Sequence, residues 1–122
     1  MELNKAMTGL AATRQALRSQ KGVVDPSFIS EQMQRLTQYC GAVEEHLAQL
    51  EEQYEEKEMN LFLDYMKQGK SGNQAEILTK MELGKEKGQI ARLRRYVNSS
   101  WQIVGVAQSR VNHLSKEVIG QV

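Results

Sequence analysis

The sequence has one cysteine, one proline and few aromatic residues among its 122 positions. A single cysteine, Cys40, excludes an internal disulfide framework and is typical of a reducing compartment. Because the only proline is Pro26, long helices can form beyond it without interruption. Aromatic residues make up 6% of the chain, which favours elongated helices over a large globular core. The length suits one domain.

The sequence also lacks an apolar run near the roughly 18 residues that span a membrane, and its N-terminus lacks a signal-peptide core. We therefore expect a cytoplasmic protein without membrane contact. The net charge of +1 neither favours nor opposes nucleic acid. Two separated histidines and one cysteine do not form a metal-ligand cluster, so no metal or cofactor is predicted.

Two heptad patterns of apolar residues indicate helices that pack along each other. In the second half of the chain, every seventh residue from Ile90 to Val118 is isoleucine or valine. The first-half pattern comprises Ile29, Met33, Leu36, Cys40, Val43, Leu47 and Leu50. Antiparallel pairing places Ile29 opposite Val111 and Leu50 opposite Ile90 in one register. This register requires the chain to reverse near residue 70.

Local signals place the ends of the first two helices. A short amphipathic helix within residues 1–21 is expected to end with a cap at Gly22. Asp25 before Pro26 predicts an N-cap followed by proline at the first helical position. The second helix is therefore predicted over about residues 26–68.

The reversal and the third helix have their own signals. Gly69 can end the second helix in a left-handed conformation, and Ser71 with Gln74 forms a capping box for a third helix. We predict an all-α fold in which a long antiparallel coiled-coil hairpin carries a short N-terminal helix. The predicted single elongated domain comprises an N-terminal helix in 1–21 and a hairpin of 26–68 and 72–119, which spans 26–119 with loop 69–72.

One flank of the predicted hairpin carries opposite charges. It pairs Glu44 with Arg94, Glu51 with Lys87, and Glu58 with Lys80. Exposed ion pairs contribute only about 0–1 kcal/mol each, so these pairs select the register more than they stabilise it.

The opposite flank is apolar and aromatic. Its residues are Tyr39, His46, Tyr96 and Ile103, and we expect Trp101 and Val106 to extend it. A hairpin alone would leave this surface in water. We therefore expect the N-terminal helix or a second copy of the chain to cover it.

The heptad pattern weakens toward the reversal, where a local change of period is predicted. Apolar pairs would then meet on a rotated face as Met59 with Met81, Phe62 with Leu78, and Leu63 with Ile77. Gly84 and Gly88 would admit the ring of Tyr54 or permit a bend. Phe62 and Met66 mark this end as a docking candidate, because methionine-rich surfaces adapt to partners.

Three short strings carry a resemblance. They are Gly72-Asn73-Gln74-Ala75-Glu76-Ile77, Leu83-Gly84-Lys85 and Ala107-Gln108-Ser109-Arg110. With the hairpin layout, they resemble small helical-hairpin proteins of tailed bacteriophages, commonly encoded beside recombination or single-strand-annealing genes. The resemblance covers the two long helices and implies a phage protein in the host cytoplasm, acting in DNA recombination or against a host nuclease or defence complex.

From these patterns we expect a non-catalytic interaction or adaptor protein and not an enzyme. Its expected partners are a second copy of the chain and a host or phage protein. The candidate partner-binding residues are Tyr39, Tyr96, Trp101, Ile103, Val106, Phe62 and Met66. A second hypothesis is a DNA-binding recombination accessory that uses Lys85, Arg92 and Arg95. A third is a coiled-coil secretion chaperone or stalk, which such hairpins also resemble.

Overall fold

The computed structural model describes residues 1–19 and 25–120, with side chains as far as Leu114. This part of the chain contains three α-helices and no strand. They are α1 (Leu3–Arg18), α2 (Pro26–Lys67) and α3 (Gly72–Gly120). The all-α prediction is confirmed, while the predicted cap at Gly22 lies outside the described residues. No described helix has an apolar stretch long enough to cross a membrane.

The N-terminal caps of α2 and α3 follow the local sequence. Asp25 precedes Pro26, and its Oδ1 accepts a hydrogen bond from the Ser27 amide at 2.9 Å. At the start of α3, the Gln74 amide donates to Ser71 Oγ, and the Ser71 amide donates to Gln74 Oε1, both at 3.2 Å. This reciprocal pair is the predicted capping box.

Gly69 ends α2 because it adopts a φ of +88°, which L side chains rarely tolerate. The Gly69 amide donates to the Met66 carbonyl, and the Lys70 amide donates to the Tyr65 carbonyl, both at 3.1 Å. These two bonds form a Schellman motif, which satisfies carbonyls that the end of a helix leaves free. The predicted position of the reversal is confirmed.

The chain forms two compact units, and both long helices pass from one to the other. The first unit comprises Met1–Glu45 with Tyr96–Val122, and the second comprises His46–Arg95. In the first unit, α1 packs with the beginning of α2 and the end of α3. The second unit contains the end of α2 and the beginning of α3.

The core of the first unit consists largely of residues from the two predicted heptad patterns, which together form the seam between α2 and α3. Its buried apolar residues are Ala6, Leu10, Ile29, Leu36, Cys40, Val43, Val97 and Ala107. Ile29 and Ala107 form a cluster whose half-buried neighbours are Leu17, Met33, Val111 and Leu114. Burial of each Leu, Ile or Val stabilises a fold by about 1.5–3 kcal/mol. The apolar pattern therefore identifies the main stabilising residues of this unit.

Side-chain bonds in the second unit show that its two helical segments are antiparallel. They join Glu51 to Arg94 at 2.8 Å, Lys57 to Glu86 at 3.3 Å, and Tyr65 to Glu82 at 2.6 Å. The residue number rises along α2 while that of its partner falls along α3. The predicted pairings of Glu51 with Lys87 and of Glu44 with Arg94 are wrong, since Arg94 pairs with Glu51 and Trp101 donates to Glu44. For both acids the partner on α3 lies seven residues farther along the chain than the predicted register places it.

The rotated apolar face predicted near the reversal is also wrong. On α3 the buried residues here are Ala75, Thr79 and Leu83. Four residues predicted for this face are exposed, namely Met59, Leu63, Ile77 and Met81. The other two, Phe62 and Leu78, are half-buried. Thr79 can lie inside because its hydroxyl donates to the Ala75 carbonyl at 2.7 Å. Its burial therefore leaves no polar atom unsatisfied.

The glycines of this region do not admit a ring. A Cβ atom added at Gly84 or Gly88 would meet no atom within 4 Å outside the local helix backbone, so the predicted seat for Tyr54 is wrong. Gly9 in α1 is different, because a Cβ atom there would overlap the ring of Tyr39. Among the glycines whose surroundings the structure describes, Gly9 alone is required by close packing.

Substitutions of these glycines test the packing. Gly84→Ala and Gly88→Ala should each raise the free energy of unfolding by about 0.5–1 kcal/mol, because alanine restricts the unfolded chain and favours the helix. Gly9→Ala, the matched change in a crowded place, should lower it by about 1–3 kcal/mol. Urea unfolding followed by circular dichroism measures all three. A loss of stability in Gly84→Ala or Gly88→Ala would contradict the conclusion that both glycines have open space around them.

Candidate functional site

Two residues of the predicted partner surface, Tyr39 and Tyr96, lie under α1 of the same chain. Gly9 lies against the Tyr39 ring, and the guanidinium carbon of Arg14 lies 4.4 Å from the centroid of the Tyr96 ring. Both tyrosines are half-buried. The N-terminal helix is thus the occupant of this part of the apolar flank.

Arg14 holds α1 in place through neutral oxygen atoms. Its side chain is buried and donates to Ser100 Oγ at 3.0 Å, Ser99 Oγ at 3.3 Å and the Tyr96 carbonyl at 3.4 Å. It forms no ion pair with any described residue. The role of Arg14 in docking α1 was not predicted from the sequence.

Cys40 and Ser100 are both fully buried beside this contact. The pKa of the Cys40 thiol is raised to about 11, chiefly by burial and also by the negative charge of Glu44, while the positive charge of Arg14 acts in the opposite direction. The thiol therefore stays protonated near neutral pH. A protonated thiol is a poor nucleophile, which agrees with the structural role expected for Cys40.

Trp101 does not belong to the surface on which it was predicted. Its indole Nε1 donates to Glu44 Oε1 at 2.7 Å. Positions 101 and 103 of a helix point about 160° apart, so Trp101 and Ile103 lie on different sides of α3. The prediction that these two residues share one surface is therefore wrong.

Ile103 and Val106 line an open cavity of about 220 Å³. Its other lining residues are Leu17 and Arg18 of α1, Ile29 of α2, and Ala107 and Arg110 of α3. Val106 is 69% exposed, so α1 leaves this part of the flank accessible. Arg18 and Arg110 were not among the predicted site residues, because single exposed arginines give no signal in a sequence.

The end of the second unit, near the reversal, presents large apolar side chains to solvent. We give the name apolar tip to five of these side chains, Met59, Leu63, Met66, Ile77 and Met81, which are 42–74% exposed. Phe62 is half-buried and lines a neighbouring groove with Met59 and Thr79. Tyr65, also in this region, donates to Glu82, and that hydrogen bond raises the pKa of the Tyr65 hydroxyl.

The predicted basic residues Lys85, Arg92 and Arg95 are exposed on α3. None of the three forms an ion pair with a described residue. The facing segment of α2 carries exposed acids, among them Glu52, Glu55 and Glu56. Any polyanion would therefore meet positive charge from the α3 side alone.

Comparisons with known proteins add no further information on the site. No family model, no curated protein and no solved structure matched this chain. Among the described residues, no group of three or more histidine, cysteine, aspartate or glutamate side chains is arranged to hold a metal ion.

Substitution of Arg14 tests how α1 is held. Arg14→Ala should lower the free energy of unfolding by about 2 kcal/mol, because it removes charge-assisted hydrogen bonds and the contact with the Tyr96 ring. Arg18→Ala is the matched control on the exposed side of α1 and should change stability by less than about 0.5 kcal/mol. Urea unfolding gives both values. Equal effects would show that Arg14 does not anchor the helix.

Proposed function

We propose that this chain is a non-catalytic protein-interaction protein that binds a partner protein through the apolar tip. The observation that carries the proposal is the exposure of Met59, Leu63, Met66, Ile77 and Met81 at this end of the second unit. Burial of such side chains is worth about 1.5–3 kcal/mol each. A partner that covers several of them would gain enough free energy for specific binding.

The backbone beneath the apolar tip supports this function. The Schellman bonds at Gly69 close the end of the hairpin, and the bonds of Tyr65 to Glu82 and Lys57 to Glu86 join its two helices. A surface that is ordered before binding loses less entropy when the partner arrives. The methionine side chains above it can still adapt to the shape of the partner.

The setting we propose follows from the phage resemblance. It is DNA recombination, or inhibition of a host nuclease or defence complex, in the host cytoplasm. The bound protein would be of host or phage origin, and the chain would also form a homodimer. The partner and the pathway thus come from the phage resemblance, whereas the binding surface comes from the exposure of the apolar tip.

Site-specific crosslinking tests the role of the apolar tip. A photoreactive residue at position 81 should crosslink to one protein species, because Met81 is 74% exposed in the proposed interface. Unlabelled chain should compete for this partner and reduce the crosslink. The same probe at Gln102, an exposed position in the other unit, is the control. Met59→Gln with Leu63→Gln should reduce capture at least tenfold. Capture that is equal at both positions, or unaffected by these changes, would refute the proposal.

DNA binding is the second candidate function. It is favoured by the exposure of Lys85, Arg92 and Arg95 and by their lack of ion pairs among the described residues. Each phosphate that such a residue neutralises releases counterions, which makes the affinity depend on salt. The three residues are few, so binding would be modest and confined to one face.

A salt series tests DNA binding. With labelled single- and double-stranded DNA, the logarithm of the association constant should fall with the logarithm of salt concentration, with a slope of roughly −2 to −3. Changing Lys85, Arg92 and Arg95 together to glutamine should remove most of this slope. Changing the exposed Lys67 and Lys70 to glutamine is the control. Absence of binding near 50 mM salt would eliminate this function.

A further inference from the structure

The cavity in the first unit is apolar on its walls and positive at its edge. Its apolar walls come from Leu17, Ile29, Ile103, Val106 and Ala107. The remaining lining residues are two arginines, Arg18 and Arg110, and no acidic residue of the described part of the chain lines the cavity. The cavity therefore combines apolar walls with positive charge at its edge.

The cavity exists because α1 ends before it covers the whole flank. Arg14 anchors α1 over Tyr96, and Leu17 reaches the cluster around Ile29 and Ala107. The helix ends at Arg18, so Val106 is left 69% exposed at the open side. The docked helix therefore forms one wall of the cavity and leaves its opening accessible.

The charges of the two arginines at the cavity are not neutralised by any described residue. Both are exposed, and neither forms an ion pair with a described residue. Arg14 shows the contrast, because its guanidinium already donates to three oxygen atoms. Two guanidinium groups beside an apolar wall favour a ligand that is both apolar and anionic, since a carboxylate can accept hydrogen bonds from arginine.

The size of the cavity restricts the apolar part of the ligand. An apolar protein cavity of roughly 150 Å³ can hold benzene, and this cavity measures about 220 Å³. It can therefore accept one ring or a short alkyl chain, and it is smaller than most sites for drug-sized ligands. A long acyl chain would extend into solvent.

We propose that the cavity binds a small amphipathic carboxylate. Its alkyl or aryl group would contact Ile103, Val106 and Ala107, and its carboxylate would lie at Arg18 and Arg110. The cavity belongs to the first unit, whereas the apolar tip belongs to the second. The site therefore stands on separate observations from the proposed protein interaction.

Octanoate titration of the full chain, followed by amide NMR shifts, tests the proposal. Octanoate should shift resonances around residues 17, 103 and 106 in a saturable way, with a dissociation constant near the millimolar range, as suits a ligand of about ten heavy atoms. Octanol has the same chain without the charge and should bind roughly three- to tenfold more weakly. Acetate has the charge without the chain and should not saturate.

Variants separate the charged and apolar contributions. Arg18→Gln with Arg110→Gln should weaken octanoate binding to the level of octanol, while Lys85→Gln with Lys87→Gln removes the same charge from the other unit and should change nothing. Val106→Glu places a carboxylate at the exposed opening and should abolish octanoate binding; its circular dichroism spectrum verifies that it remains folded. Unsaturable shifts, equal affinity for octanoate and octanol, or shifts outside the cavity would overturn the proposal.

Discussion

The first unit depends on one buried cation. Removal of an arginine from water costs several kcal/mol, and the protein offsets this cost with hydrogen bonds to Ser99, Ser100 and the Tyr96 carbonyl and with the contact to the Tyr96 ring. Because these acceptors must match the planar guanidinium together, they fix both the position and the rotation of α1. Gly9 against Tyr39 and the cavity beside Leu17 are consequences of that single placement.

The buried cation also explains a polar layer within an otherwise apolar seam. Ser100 lies three residues after Val97 of the heptad pattern and is fully buried, yet its hydroxyl both accepts from Arg14 and donates to the Tyr96 carbonyl. A larger apolar residue at position 100 would occupy the space of the guanidinium and remove one acceptor. Cys40, fully buried nearby, supplies a small side chain whose burial keeps its thiol protonated. The seam therefore provides the acceptor for α1 as well as apolar contact.

Much of the fold could be predicted because its signals are local or periodic. The ends of the helices follow from backbone groups that Asp25 and Gly69 satisfy within a few residues, and the seam follows from heptad spacing. Long-range polar contacts gave no such signal: Arg14 has acceptors more than eighty residues away in the chain. The predicted apolar face near the reversal was wrong for another reason. Hydropathy favours Met81 over Thr79 for burial, whereas Thr79 can be buried because its hydroxyl donates to a carbonyl of its own helix.

Where the chain turns back at residues 69–72, small side chains are buried and large apolar side chains are exposed, which is the opposite of what stability alone would select. Ala75 and Thr79 lie inside, where they bury little apolar area, while Met81 and Ile77 lie outside, where they contribute little to folding. Exchange of small for large side chains would give this end a larger core and a more polar surface. Proteins depart from such consistency mainly where function requires it. The arrangement therefore supports binding as the role of the apolar tip, because its large side chains can stabilise a complex even though they do not stabilise the free chain.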